Sequence, residues 1–188
     1  MRFGPRSRIV GVDDAPFGPK PGARVLLVGV LMSGPRVDGV MTTQVVRDGV
    51  RATGAIERML STGRLANQGQ AVVLDGVAVG GFNVIDLPLL AESLSVPVVA
   101  VMRRRPNLEA IRMALSKTRH GEMRWRRMQR AGPIHEAGAM FFQIAGASPG
   151  LGRRILEHSS PDGGYPEALR LAHLIGGGVK LGVSRGGA

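Results

Sequence analysis

Three aspartates stand where strands should end: Asp13 in RIVGVDDA, Asp48 in VVRDG and Asp75 in AVVLDG. Carboxylates gathered at one sheet edge repel each other and take up protons unless a cation lies between them. A hard divalent ion such as Mg2+ or Mn2+ prefers oxygen ligands and relieves that conflict. The chemistry served by such a cluster is phosphodiester hydrolysis, in which the ion activates water and neutralises developing charge. Asp75-Gly76 and Asp48-Gly49 are also ordinary turn pairs, and Asp14 also fits an exposed loop acid. Successive strand residues point to opposite faces, so Asp13 and Asp14 should not be equivalent.

For Asp13 and Asp75 to share an ion, their strands must be neighbours and run the same way. Residues 8–15 read as a short strand and 23–33 as a long buried one. Residues 36–48 return as a strand rich in Val and Thr, with Gly34-Pro35 at the turn. The period then changes. Ala52, Ile56, Met59 and Leu60 share a helical face over 52–62, with Thr53 as the cap. A strand over 71–75, a helix over 84–94 and a strand over 96–102 follow. The next helix runs from the cap Asn107 to Lys117, with Leu108, Ile111 and Leu115 facing inward. The tail predicts a strand over 139–146 and a last helix from Pro166, with Leu169, Ala172, His173 and Leu174 as inward candidates.

An antiparallel three-strand meander followed by alternating helices and strands predicts an α/β fold, a mixed sheet with helices on both faces. The first and fourth strands then lie side by side, ~4.8 Å apart, and Asp13 and Asp75 emerge together. Asp48 leaves the third strand at the same edge but ~10 Å away, so its loop must lean inward. The length of 188 residues fits one domain over 1–188, with frayed ends at 1–7 and 182–188.

Composition narrows the function classes. With no Cys, disulfides and thiolate zinc sites are excluded. His120, His135, His158 and His173 show no helical pair spacing for zinc; His173 reads first as a near-core helix residue and second as an active-site group. GVAVGGF (76–82) lacks the dinucleotide-binding spacing, which leaves a small-molecule enzyme as the least supported class. No apolar run reaches ~20 residues, and the first ten residues have no apolar signal core, so a cytoplasmic protein with no membrane partner is expected.

The net charge is +11, and 22 of the 25 basic residues are Arg. Arg forks onto phosphate, which makes nucleic acid the natural partner, although a solvated Arg-rich surface fits the same count. The basic segment 103–130 holds nine Arg and Lys117 against Glu109 and Glu122. Its MRWRRMQR portion is either a basic helix face or a basic arm. In the nucleic-acid reading, Arg104, Arg105, Arg124, Arg126 and Arg127 contact phosphate and Trp125 stacks on a base.

The motifs GVDDAPF (11–17), VVRDG (45–49), LDGVAVGGFNVIDL (74–87), PVVAVMRRRPNLEAIRMAL (97–115) and PEALRLAHLI (166–175) are distributed over nearly the whole chain. They resemble the uncharacterised family called domain of unknown function 99. That family in turn resembles endonuclease V, a ribonuclease H-like protein that cuts nucleic acid near deaminated adenine with Mg2+. The resemblance implies a ribonuclease H-like fold, Mg2+ or Mn2+ as cofactor, and DNA or RNA as substrate. Asp13 matches the first-strand metal-binding Asp, and Asp75 matches the Asp of the DG motif. Asp48 stands where endonuclease V has a Glu before a helix, and Arg103 where it has a catalytic-site Lys. Arg does not donate a proton near neutral pH, so Arg103 is assigned an electrostatic role at phosphate.

This sequence also departs from endonuclease V. GVMTTQVVRDG has no Tyr-Pro wedge, and Gly80, Gly81, Phe82 and Asn83 stand where endonuclease V has a His. The expected function is a divalent-metal-dependent nuclease. The alternative is a catalytically inactive nucleic-acid-binding protein of the same fold.

Overall fold

The structure, a computed structural model, describes residues 3–4, 6–160 and 163–184. In chain order the elements are β1 (Arg8–Asp14), β2 (Arg24–Ser33), β3 (Arg36–Val46), α1 (Ala52–Ser61), β4 (Ala71–Asp75), β5 (Ala78–Val79) and β6 (Asn83–Val84). Then come α2 (Leu87–Leu94), β7 (Val98–Met102), α3 (Leu108–Ser116), α4 (Gly121–Arg130), β8 (His135–Ala137), β9 (Met140–Ala145), α5 (Pro149–Ser159) and α6 (Glu167–Leu181). Seven strands form one sheet in the order β3-β2-β1-β4-β7-β9-β8, and β5 and β6 form a separate hairpin. β1, β2 and β3 pair antiparallel, while β1, β4 and β7 run parallel. This is the expected meander joined to parallel strands.

The alternation of side chains sorts the core into two layers. Val10, Val12, Val72, Leu74, Val98 and Ala100 face one way and pack with α1 and α2. Ile9, Ala71, Val73, Val99 and Val101 face the other way and pack with Ile155 and Leu156 of α5 and Leu169 of α6. Each fully buried aliphatic side chain contributes ~1.5–3 kcal/mol, so these layers fix the register of the central strands. Gly11 is the narrow point of the second layer. A Cβ there would collide with the backbone of Ala168, so only glycine lets α6 lie directly on β1.

Several elements differ from the sequence expectation. β3 stops at Val46, and Asp48 occupies a left-handed turn with φ 54°. Thr53 does not cap α1; it is buried in the first turn, where its hydroxyl accepts from Asp86 N–H at 3.0 Å. α2 begins at Leu87 rather than 84, because Asp86 caps it through Leu89 N–H and residues 83–84 pair in the hairpin. Asn107 caps α3 as expected, by accepting from Ala110 N–H at 3.0 Å. Of the three inward candidates in α3 only Leu115 is buried, since the helix packs on α4 rather than on the sheet.

β8 and α5 were not expected. PGLGRRILEHS has weak helical propensity, yet Ser148 caps it and Gly152 makes room for the Phe142 ring. The expected frayed ends fall partly outside the described residues. Within them, Ser7 N–H donates to Gly4 O at 2.9 Å, and Gly182 closes α6 in a left-handed conformation with its N–H on Gly178 O.

Candidate functional site

The last paired residues of β1 and β4 are Val12 and Leu74, so Asp13 and Asp75 follow at the same level of adjacent parallel strands. By parity Asp13 continues the face of Ile9 and Gly11, and Asp75 that of Ala71 and Val73. Both carboxylates therefore meet the layer formed by α6. His173 sits on α6 above Asp13, with its Nδ1 at 3.1 Å from Asp13 Oδ2. Tyr165, just before α6, donates its hydroxyl to Asp75 Oδ1 at 2.5 Å. Arg103 leaves the end of β7 and lays its guanidinium 4.2 Å from the centre of the Tyr165 ring.

Asp14 points to the opposite face, as alternation requires. Its Oδ2 accepts from Gly80 N–H at 2.5 Å. It is half-buried rather than an exposed loop acid. The same loop holds Asp48: Asp48 N–H donates to Gly80 O at 2.9 Å, and Phe82 N–H donates to Asp48 Oδ1 at 2.9 Å. Asp48 Oδ2 lies 3.3 Å from Arg47 Nε. Asp48 thus joins the cluster through the Gly80–Phe82 loop, and its own carboxylate is engaged there.

The electrostatics reflect crowding of like charges. Asp13 is only 5% exposed. Burial first, then the Asp75 and Asp14 carboxylates, push its pKa up to about 7, against the opposing pull of Asp14 N–H and His173. Burial also raises Asp14, with Asp75 adding to the rise, while the Gly80 N–H bond works against it. Among the described residues, no group of three or more His, Asp or Glu side chains stands in metal-holding geometry.

Gly81 makes the loop testable. Its φ is +84°, and a Cβ there would collide with Asp48 Oδ1. Gly81→Ala should cost about 1–3 kcal/mol from backbone strain and should separate Asp48 from Phe82 N–H. Thermal denaturation checks this. A melting temperature equal to wild type would mean that the loop is not held in this way.

The six expected nucleic-acid contacts divide. Arg104, Arg105 and Arg126 are exposed; Arg105 Nη1 lies 3.5 Å from Glu136 Oε1, and Arg126 pairs with Glu122. Trp125 is half-buried, with the Arg112 guanidinium 5.5 Å from its ring centre. Arg124 does not belong to the surface. It is 3% exposed and donates to Asp48 O and Gly49 O. Arg127 also turns inward, donating to Val50 O at 2.9 Å and Val84 O at 3.1 Å. The physical reason is that the turn after β3 leaves carbonyls inside the fold that need donors. Two side chains escaped the sequence reading, Asp14 and Tyr165. The signal for the first is a strand ending in two acids opposite a Gly-rich loop. The signal for the second is the chain's one Tyr, beside the PEALRLA motif.

No helix among the described residues is long and apolar enough to cross a membrane. A UPF0215 protein from Methanothermobacter thermautotrophicus is 42% identical over 186 residues, spanning 96% of this chain and 91% of that protein. A protein of unknown function from Archaeoglobus fulgidus has a crystal structure with TM-score 0.85 and 30% identity, covering 90% of this chain and 96% of that one. Endonuclease V from Ciona intestinalis, solved with a 24mer DNA containing an inosine followed by a ribo-adenosine, gives TM-score 0.55 at 12% identity, over 88% of this chain and 82% of that one. That likeness shows the fold alone, the ribonuclease H-like α/β arrangement. The family model described as endonuclease dU matches residues 5–180. With that match over nearly its whole length, the chain belongs to the endonuclease dU family.

Proposed function

We propose that this protein is a divalent-metal-dependent nuclease that cleaves phosphodiester bonds in DNA carrying deoxyuridine. The family's description, endonuclease dU, supports this choice of base. The reaction class rests on one observation: Asp13, Asp14 and Asp75 crowd the ends of two parallel strands, where burial first and then the neighbouring carboxylates lift Asp13 to about 7. Hard oxygen donors under mutual repulsion suit Mg2+ or Mn2+. Mg2+ ordinarily takes one or two carboxylates together with waters and substrate phosphate, so a ready-made trio is not required. Asp13 and Asp75 would hold the ion, and Asp48 would join as an outer carboxylate at the cost of its bond from Phe82.

A bound divalent ion would neutralise phosphate charge and lower the pKa of a water. The chain's own residues do the remaining work. Arg103 supplies a fixed positive charge at the phosphate. Asp13, when ionised, accepts from His173 Nδ1 and so fixes the orientation of that imidazole. The exposed Arg104, Arg105 and Arg126, with Trp125, carry the nucleic-acid backbone and a base.

The test is a cleavage screen with Mg2+, Mn2+ or EDTA over single- and double-stranded DNA and RNA, carrying deoxyuridine, inosine or neither. Metal-dependent cutting of deoxyuridine DNA is expected. Asp75→Ala should lower it at least ~1000-fold, equivalent to roughly 4 kcal/mol of metal-assisted catalysis, with the circular dichroism spectrum unchanged. Undiminished cleavage by Asp75→Ala would remove this site from the reaction. Salt-sensitive DNA binding without cleavage of any substrate would make the protein a non-cleaving binder instead.

A further inference from the structure

One aromatic side chain touches both halves of the site just described, and the inference drawn from it rests on the metal-dependent reading. Asp75 is the last residue of β4, and its Oδ1 accepts the Tyr165 hydroxyl at 2.5 Å across 90 positions of sequence. The face of the same ring carries the Arg103 guanidinium at 4.2 Å. Tyr165 is the chain's only tyrosine, and it is half-buried where the chain enters α6. Gly11 lets α6 settle against β1, which sets where that entry lies.

We propose that Tyr165 is a positioning residue that orients the metal-holding carboxylate of Asp75 through its hydroxyl and the phosphate-facing Arg103 through its ring. A neutral donor is suited to this place. A second cation against Asp75 would compete with the metal, whereas a phenol orients the carboxylate and leaves its charge available. A phenol is ordinarily neutral at about pH 7, so its hydroxyl is available as a donor to the carboxylate. Donors behind a metal-holding group typically change metal affinity or activity about 10–100-fold when removed. Stacking on the ring also narrows the rotamers open to Arg103, which would otherwise lose freedom on meeting phosphate.

The hydroxyl and the ring can be tested separately. Tyr165→Phe keeps the stacking surface and removes only the donor; Tyr165→Leu removes both. Mn2+ binding is measured by calorimetry on the metal-free protein, alongside binding of deoxyuridine DNA in EDTA, thermal melts and steady-state cleavage. Tyr165→Phe should weaken Mn2+ binding about 10-fold or more while leaving DNA binding in EDTA within about twofold of wild type. Excess Mn2+ should recover most of its cleavage rate. Tyr165→Leu should in addition raise KM for the DNA. Equal Mn2+ affinity in wild type and Tyr165→Phe overturns the proposal. If Asp75→Ala still abolishes Mn2+ binding in that case, only the tyrosine's role is lost and the nuclease reading stands. No Mn2+ binding by wild type overturns both.

Discussion

Asp13→Asn is expected to make the metal-free protein more stable at alkaline pH and to abolish metal-dependent cleavage. Burial and two neighbouring carboxylates raise Asp13 from 3.8 to about 7. A carboxyl whose folded pKa lies above its unfolded value stabilises the fold fully only below the unfolded value. That stabilisation fades as pH rises from 3.8 and is gone above about 7. That rise in pKa corresponds to a penalty of about 4 kcal/mol once Asp13 must be ionised in the fold.

Asparagine carries no such charge, so the variant escapes that penalty. Denaturant titrations in EDTA at about pH 5 and about pH 8 measure the effect. The variant should exceed wild type by the larger margin at the higher pH, and the margin should shrink by about 2–3 kcal/mol at the lower one. The variant should also lose nearly all Mn2+-dependent cutting, since stability and function pull apart at a site that stores repulsion. A variant less stable than wild type at both pH values would show that Asp13 is not held at high energy.

Arg124→Ala should be the most damaging change within the basic segment. The Arg124 guanidinium is buried and serves the carbonyls of Asp48 and Gly49. Truncation would leave two interior acceptors without donors and open space behind the turn that carries Asp48. The expected loss is about 2–5 kcal/mol, measured by denaturant unfolding. Cleavage should fall with it, because that turn also anchors the Gly80–Phe82 loop beside Asp14.

Arg126→Ala, two residues away, gives the contrast. Arg126 is exposed and, among the described residues, pairs only with Glu122 one helical turn back. Its removal should change stability by less than about 0.5 kcal/mol. It should reduce the salt dependence of DNA binding by about one counterion. Equal stability losses in the two variants would contradict the inward placement of Arg124.

Much of this molecule is written in local patterns. The apolar runs of β1, β2, β4 and β7, the helical face of Ala52, Ile56, Met59 and Leu60, and the Asn107 cap are all short-range features of the chain. A buried sheet face tolerates no slip of register, so those runs also determined that Asp13 and Asp75 would end neighbouring strands at one level. The fold class and two of the acids could therefore be read directly.

The rest depended on contacts between distant segments. His173 meets Asp13 across 160 positions and Tyr165 meets Asp75 across 90, and no local periodicity encodes either meeting. Asp14 looked like a loop acid until the Gly80 N–H arrived to hold it. The arginines of α4 make the same point most clearly. Charge is fixed by residue type, but whether a guanidinium faces water or an interior carbonyl is decided by what packs beside the helix. For Arg124 that neighbour is a turn 76 positions earlier in the chain, and its carbonyls drew the side chain inward.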